Sequence, residues 1–186
     1  MTRYALLVRG INVGGKNKVV MAELRQELTE LGIEKVESYI NSGNIFFISI
    51  DSKAQLIEKL EAFFGTRYPF IQSFSLLSLE DYEAEVENLP AWWNEDLARK
   101  DVLFYTELLD VEQVITTVES LELKDEVVHF GKLGIFWGKF SEETYSKTAY
   151  HKDLLKMPFY RHITIRNAKT FEKIGQMLKT KKGDTQ

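Results

Sequence analysis

The sequence predicts an α+β protein made of two ferredoxin-like halves, each with the element order β-α-β-β-α-β. Two observations predict it. Apolar runs of strand length alternate with helix-period segments in the same order twice, about 95 positions apart, as in a duplication. Each half also carries a turn signal between two strand-like runs: Asn41-Ser42-Gly43-Asn44 in the first, Gly131-Lys132-Leu133-Gly134 in the second.

In the first half, residues 3–9 read as a strand. Val20, Leu24, Leu28 and Leu31 recur at helical spacing, and Gly32 closes that helix. Residues 34–40 and 45–50 form a hairpin across the Asn41–Asn44 turn. Asp51 or Ser52 caps a second helix with Leu56, Ile57, Leu60 and Phe63/Phe64 as its apolar stripe, ended by Gly65. Tyr68 to Phe74 reads as the fourth strand. Residues 77–100 form an acidic helical connector, interrupted at Pro90, in which Trp92 and Trp93 read as an apolar plug.

In the second half, Val102–Thr106 reads as a strand and Val111–Leu121 as a helix. Glu126–Phe130 and Ile135–Phe140 form the second hairpin, and Thr144–Leu155 reads as a helix stopped before Pro158. A strand at His162–Arg166 and a helix at Ala168–Leu178 complete the chain. The expected organisation is therefore 1–76, a connector at 77–100, and 101–186 with an extra C-terminal helix. Phe46 and Phe47 fall on opposite faces of their strand, as do Phe136 and Trp137. A split βαββαβ unit covers one sheet face with its own helices. The other face needs a cover, so the two sheets, or the sheets of two chains in a homodimer, pack together.

The 186 residues are 44% apolar and contain no cysteine. That excludes disulfides, thiolate metal sites and cysteine catalysis, and fits a reducing compartment. The N-terminus shows no leader pattern and no apolar run approaches the ~20 residues of a membrane span, so a cytoplasmic protein is expected. Net charge is −4, unevenly spread: residues 77–126 hold 15 acids and 3 bases, residues 139–186 hold 11 bases and 5 acids. An acidic total disfavours non-specific binding to nucleic acid without excluding it.

The glycine-rich, lysine-bearing stretch Gly10–Lys18 stands where a strand leads into a helix, a place where backbone N–H groups can cradle an anion. In a split βαββαβ unit this loop, the hairpin turn and the loop before the fourth strand share one sheet edge. Arg9, Asn12, Gly14, Gly15, Lys16, Asn41, Ser42, Asn44 and Arg67 then converge, a set suited to a phosphate, a carboxylate or a nucleotide. Ordinary turn chemistry accounts for the same residues equally well. Gly10, Gly15 and Lys16 keep the spacing of a phosphate-binding P-loop, but Asn17 replaces the hydroxyl residue that would hold Mg²⁺, and the all-parallel sheet is missing. Arg166 and Asn167 form a second constellation: Asn167 caps the last helix, and Arg166 meets either the acidic middle region or an anion. His129, His151 and His162 lack metal-ligand spacing, and no nucleophile–base or carboxylate pair stands out, so no metal, cofactor or catalytic residue is assigned.

Tyr4-Ala-Leu-Leu-Val-Arg-Gly-Ile-Asn-Val-Gly-Gly15, Met21-Ala-Glu-Leu24, Tyr39-Ile-Asn-Ser-Gly-Asn-Ile45 and Arg166-Asn167 with Thr170 resemble a bacterial family catalogued only as a domain of unknown function. That family's marks are an ALLRGINVGG segment, an SGN turn and a C-terminal T-x-R-N-x-x-T. The departures are small: Val8 is inserted in the first segment, and Ala168 stands where an aromatic is common. The resemblance covers nearly the whole chain. It implies a small bacterial α+β protein and carries over no catalytic residue. The reading from sequence is a binder of a small anionic ligand at the Gly-rich loop. The alternative is a non-enzymatic interaction module for protein or single-stranded nucleic acid, recognised through strand aromatics such as Phe46 and Phe47.

Overall fold

The computed structural model describes residues 1–180; residues 181–186, the end of the expected C-terminal half, lie outside the described residues. The first half runs β1 (Thr2–Val8), α1 (Met21–Glu30), β2 (Glu34–Tyr39), β3 (Asn44–Ser49), α2 (Lys53–Arg67) and β4 (Phe74–Ser78). After α3 (Leu79–Glu87) and a 3₁₀ turn at Ala91–Asn94, the second half runs β5 (Arg99–Phe104), α4 (Val111–Glu119), β6 (Glu126–Phe130), β7 (Gly134–Lys139), α5 (Ala149–Lys152), β8 (Thr164–Asn167) and α6 (Ala168–Lys179). The two four-stranded sheets have the orders β2-β3-β1-β4 and β6-β7-β5-β8, antiparallel throughout. The topology of the first sheet is thus repeated in the second, as the doubled element order predicts.

Strand alternation sorts the apolar side chains into three cores. Tyr4, Leu6, Val8, Ile45 and Phe47 meet α1 and α2 through Leu24, Leu28, Leu56, Leu60 and Phe64. Leu103, Ile135 and Trp137 meet α4 and the 149–163 segment. The remaining faces share one core: Ala5, Leu7, Phe46 and Leu77 from the first sheet, Val102, Phe104 and Phe136 from the second, with Tyr82, Trp93, Phe171 and Ile174 between them. Phe171 of α6 is its hub, with ring centroids 4.8 Å from Tyr82, 5.4 Å from Phe136 and 5.9 Å from Trp93. One chain therefore covers its own inner sheet faces. Trp93 is the expected plug, standing edge-on to Phe136 at 5.0 Å.

Several boundaries differ from the sequence reading. Residues 68–73 are loop, and the fourth strand starts at Phe74, so a boundary at 76 falls inside β4. Tyr68 instead turns its ring onto Phe63 and Phe64 and donates its hydroxyl to Glu27 of α1, which ends α2. Gly65 lies within α2, which runs on to Arg67. Arg99 already pairs with Lys139, so β5 begins before Val102, and the connector ends short of 100. The helix expected at Thr144–Leu155 is broken into a 3₁₀ turn at Tyr145–Lys147, the single turn of α5 and further 3₁₀ turns. Extended backbone at Thr148 (ψ 151) makes it the N-cap of a new turn, and the Glu126 carboxylate accepts the N–H groups of Ala149 and Tyr150 there. A buried tertiary acceptor thus overrides the local helical pattern.

Two measurements probe the shared core. A Cβ on Gly175 would lie 2.3 Å from the Tyr82 ring, which also packs against Phe171 one turn earlier on the same helix. Gly175→Ala is expected to cost about 1–3 kcal/mol in urea unfolding through overpacking. Glu85, 2% exposed, accepts the N–H of Leu133 at the second hairpin turn, and burial raises its pKa above the ordinary 4.5. The folded state therefore keeps this proton to higher pH than the unfolded one. Its contribution is full below pH 4.5 and is lost as pH climbs through the raised value. Glu85→Gln should flatten that part of the stability–pH curve, so that the variant gains on the wild type as pH rises above the ordinary carboxyl range.

Candidate functional site

The Gly-rich loop is a miniature hairpin. Asn12 N–H donates to the Asn17 carbonyl and Lys16 N–H to the Val13 carbonyl, both at 3.1 Å, and Val13 pairs antiparallel with Lys16. Gly14 (φ 58) and Gly15 (φ 74) occupy the two central positions with positive φ, the demand of a tight two-residue turn. Asn12 (φ 55) and Asn17 (φ 52) are also left-handed, which asparagine tolerates better than most residues. The Asn12 side chain accepts from Val19 N–H at 2.8 Å and donates to the carbonyls of Val19 and Asn41, each at 3.0 Å. It ties the hairpin to the first residue of the Asn41–Asn44 turn. Asn17 donates to the Gly10 carbonyl at 3.0 Å. The P-loop spacing of Gly10, Gly15 and Lys16 is thus met by a different backbone, in which asparagine amides bond to the main-chain carbonyls of Gly10, Val19 and Asn41.

The Asn41–Asn44 turn lies under the end of β1. Val8 N–H donates to the Gly43 carbonyl at 2.8 Å, and a Cβ on Gly43 (φ 83) would sit 2.8 Å from the Val8 oxygen. Only glycine fits there. Asn44 is fully buried, and its amide donates to the Tyr39 carbonyl and the Ser42 hydroxyl. Arg166, from β8 of the other half, completes the turn. Its Nε donates to Asn44 Oδ1 at 2.6 Å, and its Nη2 to the carbonyls of Ser42 (2.9 Å), Val8 (3.0 Å) and Gly43 (3.3 Å). Burial brings this guanidinium down to about 10, which leaves it charged at neutral pH.

Arg9 runs in the opposite sense. From the end of β1 it donates to the carbonyls of Tyr160 and, at 2.7 Å, Ile163 of the second half, and its guanidinium stacks 4.6 Å from the Tyr160 ring centroid. Each half thus sends one arginine into the main chain of the other. The two N-terminal motifs and the C-terminal one meet, and Arg9, Asn12, Asn44 and Arg166 are engaged in joining them. Asn167 caps α6, accepting Thr170 N–H at 2.8 Å, and Arg166 meets carbonyls rather than the acidic middle region. Gly14, Gly15, Lys16 and Asn41 are exposed, and Ser42 is half-buried beside them. Arg67 stands apart, paired with Glu27 of α1. The partners absent from the sequence reading are the carbonyls of Val8, Tyr160 and Ile163, which no side-chain pattern reveals.

Arg166→Ala removes the guanidinium donor from buried Asn44 Oδ1 and from the Val8 and Ser42 carbonyls and is expected to cost about 3 kcal/mol in urea unfolding. Arg166→Lys should recover less than half of that, since one ammonium cannot reproduce the planar fork.

The model of a family described as "Protein of unknown function (DUF1697)" matches residues 1–136, which hold both N-terminal motifs and end before Arg166. A solved structure, described as that of the conserved bacterial protein SP0830 from Streptococcus pneumoniae, is 88% identical. It aligns over 96% of this chain and 99% of its own, with a TM-score of 0.94. No curated protein matches. With its N-terminal motifs inside the matched region and its fold shared with SP0830, the chain belongs to the DUF1697 family of unknown function.

Proposed function

We propose that the chain binds a small anionic ligand, a phosphorylated metabolite or nucleotide, at the tip of the 10–18 hairpin. The observation that supports this is what the clasp leaves unused. The N–H groups of Gly14, Gly15, Asn17 and Lys18 have no hydrogen-bond partner among the described residues, and Lys16 and Lys18 are exposed with no ion pair there. Unbonded amides of a left-handed turn beside two exposed lysines offer an anion both hydrogen-bond donors and positive charge. The strain fits the same reading. Ile40 (φ 51) is β-branched, 53% exposed and next to Asn41, a combination that backbone sterics disfavour.

A second reading, a non-enzymatic interaction module, draws on Val13 at 66% and Ile40 at 53% exposure beside the same lysines. Its RNA-like form gains nothing from Phe46 and Phe47, which are fully buried.

Amide-resolved NMR titration with inorganic phosphate and with a nucleoside triphosphate tests the anion reading. Saturable shifts at Gly14, Gly15 and Lys18 are expected, with about millimolar or tighter affinity. Lys16→Ala/Lys18→Ala should weaken binding about tenfold, equivalent to 1.4 kcal/mol. Absence of shifts in that loop with either probe overturns the reading.

A further inference from the structure

The segment that Arg9 clamps also walls a cleft. Between the start of α4 and residues 158–162 lies a space of about 340 Å³, lined in part by Leu109, Val114, Thr117, Phe159, Arg161 and His162. That volume suits a small molecule. Val114 and Phe159 are buried and form an apolar floor with Leu109. Arg161 is exposed and makes no ion pair among the described residues. His162 is held at its main chain: its carbonyl accepts the Thr106 hydroxyl at 2.6 Å, and the Tyr160 and Ile163 carbonyls on either side accept from Arg9. Its ring is not held. Nδ1 is buried with no hydrogen-bond partner.

Buried polar atoms nearly always have partners, and an orphaned N–H is rarer than an orphaned acceptor. The tautomer protonated at Nε2 leaves the buried Nδ1 as the orphaned acceptor and makes the other edge of the ring the donor. We propose that this cleft binds a small molecule with an apolar body and one carboxylate: the body lies on Leu109, Val114 and Phe159, and the carboxylate is met by Arg161 and the Nε2–H of His162. A single carboxylate fits better than a phosphate dianion. Arg161 is the one arginine or lysine in the lining, and the Asp110 carboxylate, which accepts Gln113 N–H at 3.1 Å, lines the cleft as well. Arg9 acts here as a positioning residue that fixes the wall carrying His162.

Ligand-observed NMR and calorimetry with hexanoate and phenylacetate, and with their neutral amides, test the proposal. The wild type is expected to bind the acids at least tenfold more tightly than the amides. Arg161→Gln, at an exposed position, should weaken the acids about tenfold, and Thr117→Trp should block the cleft. Arg9→Ala should weaken the acids without touching them, while Lys16→Ala/Lys18→Ala leaves their affinity unchanged and so separates this site from the hairpin tip. The proposal is overturned if neither acid binds the wild type, if acids and amides bind alike, or if Arg161→Gln and Thr117→Trp bind as the wild type does.

Discussion

Two arginines crossing between the halves set the geometry on which the rest depends. Arg166 leaves β8 and donates to the end of β1 and to the turn between β2 and β3; Arg9 leaves β1 and donates to the segment that precedes β8. Main-chain carbonyls are acceptors at fixed positions, so a planar guanidinium bonded to several of them sets angle as well as distance. Hydroxyl contacts beside them reinforce the same seam: Ser75 of β4 donates to the Tyr105 carbonyl at 2.7 Å and lies 3.3 Å from the Thr164 hydroxyl. These bonds are directional where the apolar core between the sheets is not. The core supplies the drive to associate, and the arginines select one docking of the two sheets.

That division of labour explains how a doubled fold becomes a single body. Each βαββαβ unit leaves one sheet face bare. Here α3, the Trp93 turn and α6 lie on those faces, and Phe171 touches aromatic rings from the connector and the second sheet. Arg3, from β1, donates to the Met177 carbonyl at the end of α6 at 2.8 Å, closing the far end of the same helix. The halves are not equivalent, however. The first carries a full-length α2 of 15 residues, whereas its counterpart is α5 of 4 residues with 3₁₀ turns around it. Glu126 anchors that broken segment from below, also accepting the Trp137 indole N–H at 2.8 Å. The irregular wall it leaves is the one that Arg9 grips and that borders the cleft at His162.

The motif residues divide by role in a way their spacing hides. Gly43 is required by the closeness of Val8, and Gly14 and Gly15 by a two-residue turn. Asn12 and Asn44 commit their amides to the main-chain carbonyls of Val19, Asn41 and Tyr39. What the motif leaves exposed is Val13 to Lys18 and the strained Ile40–Asn41 step. A structural clasp and an exposed tip are thus built from one contiguous motif, because the asparagine bonds that order the loop leave residues 13–18 exposed.

Periodicity and turn chemistry determined the doubled βαββαβ order, both hairpins and the opposite facing of Phe46 and Phe47, because these depend on neighbours close in the chain. They also placed the three motifs that matter. Side-chain identity could not tell whether Arg9 and Arg166 await a ligand or grip a carbonyl, since both uses call for the same residue. Nor could it show that 144–155 breaks, because the acceptor that breaks it is Glu126, or that residues 68–73 stay out of the sheet, because Tyr68 finds Glu27 of α1. The tertiary structure decided these points. In each, the deciding partner lies about 20 residues or more away in the chain, beyond the reach of local propensity, and in the arginine contacts it is mostly a backbone oxygen, which every residue carries and no sequence pattern marks.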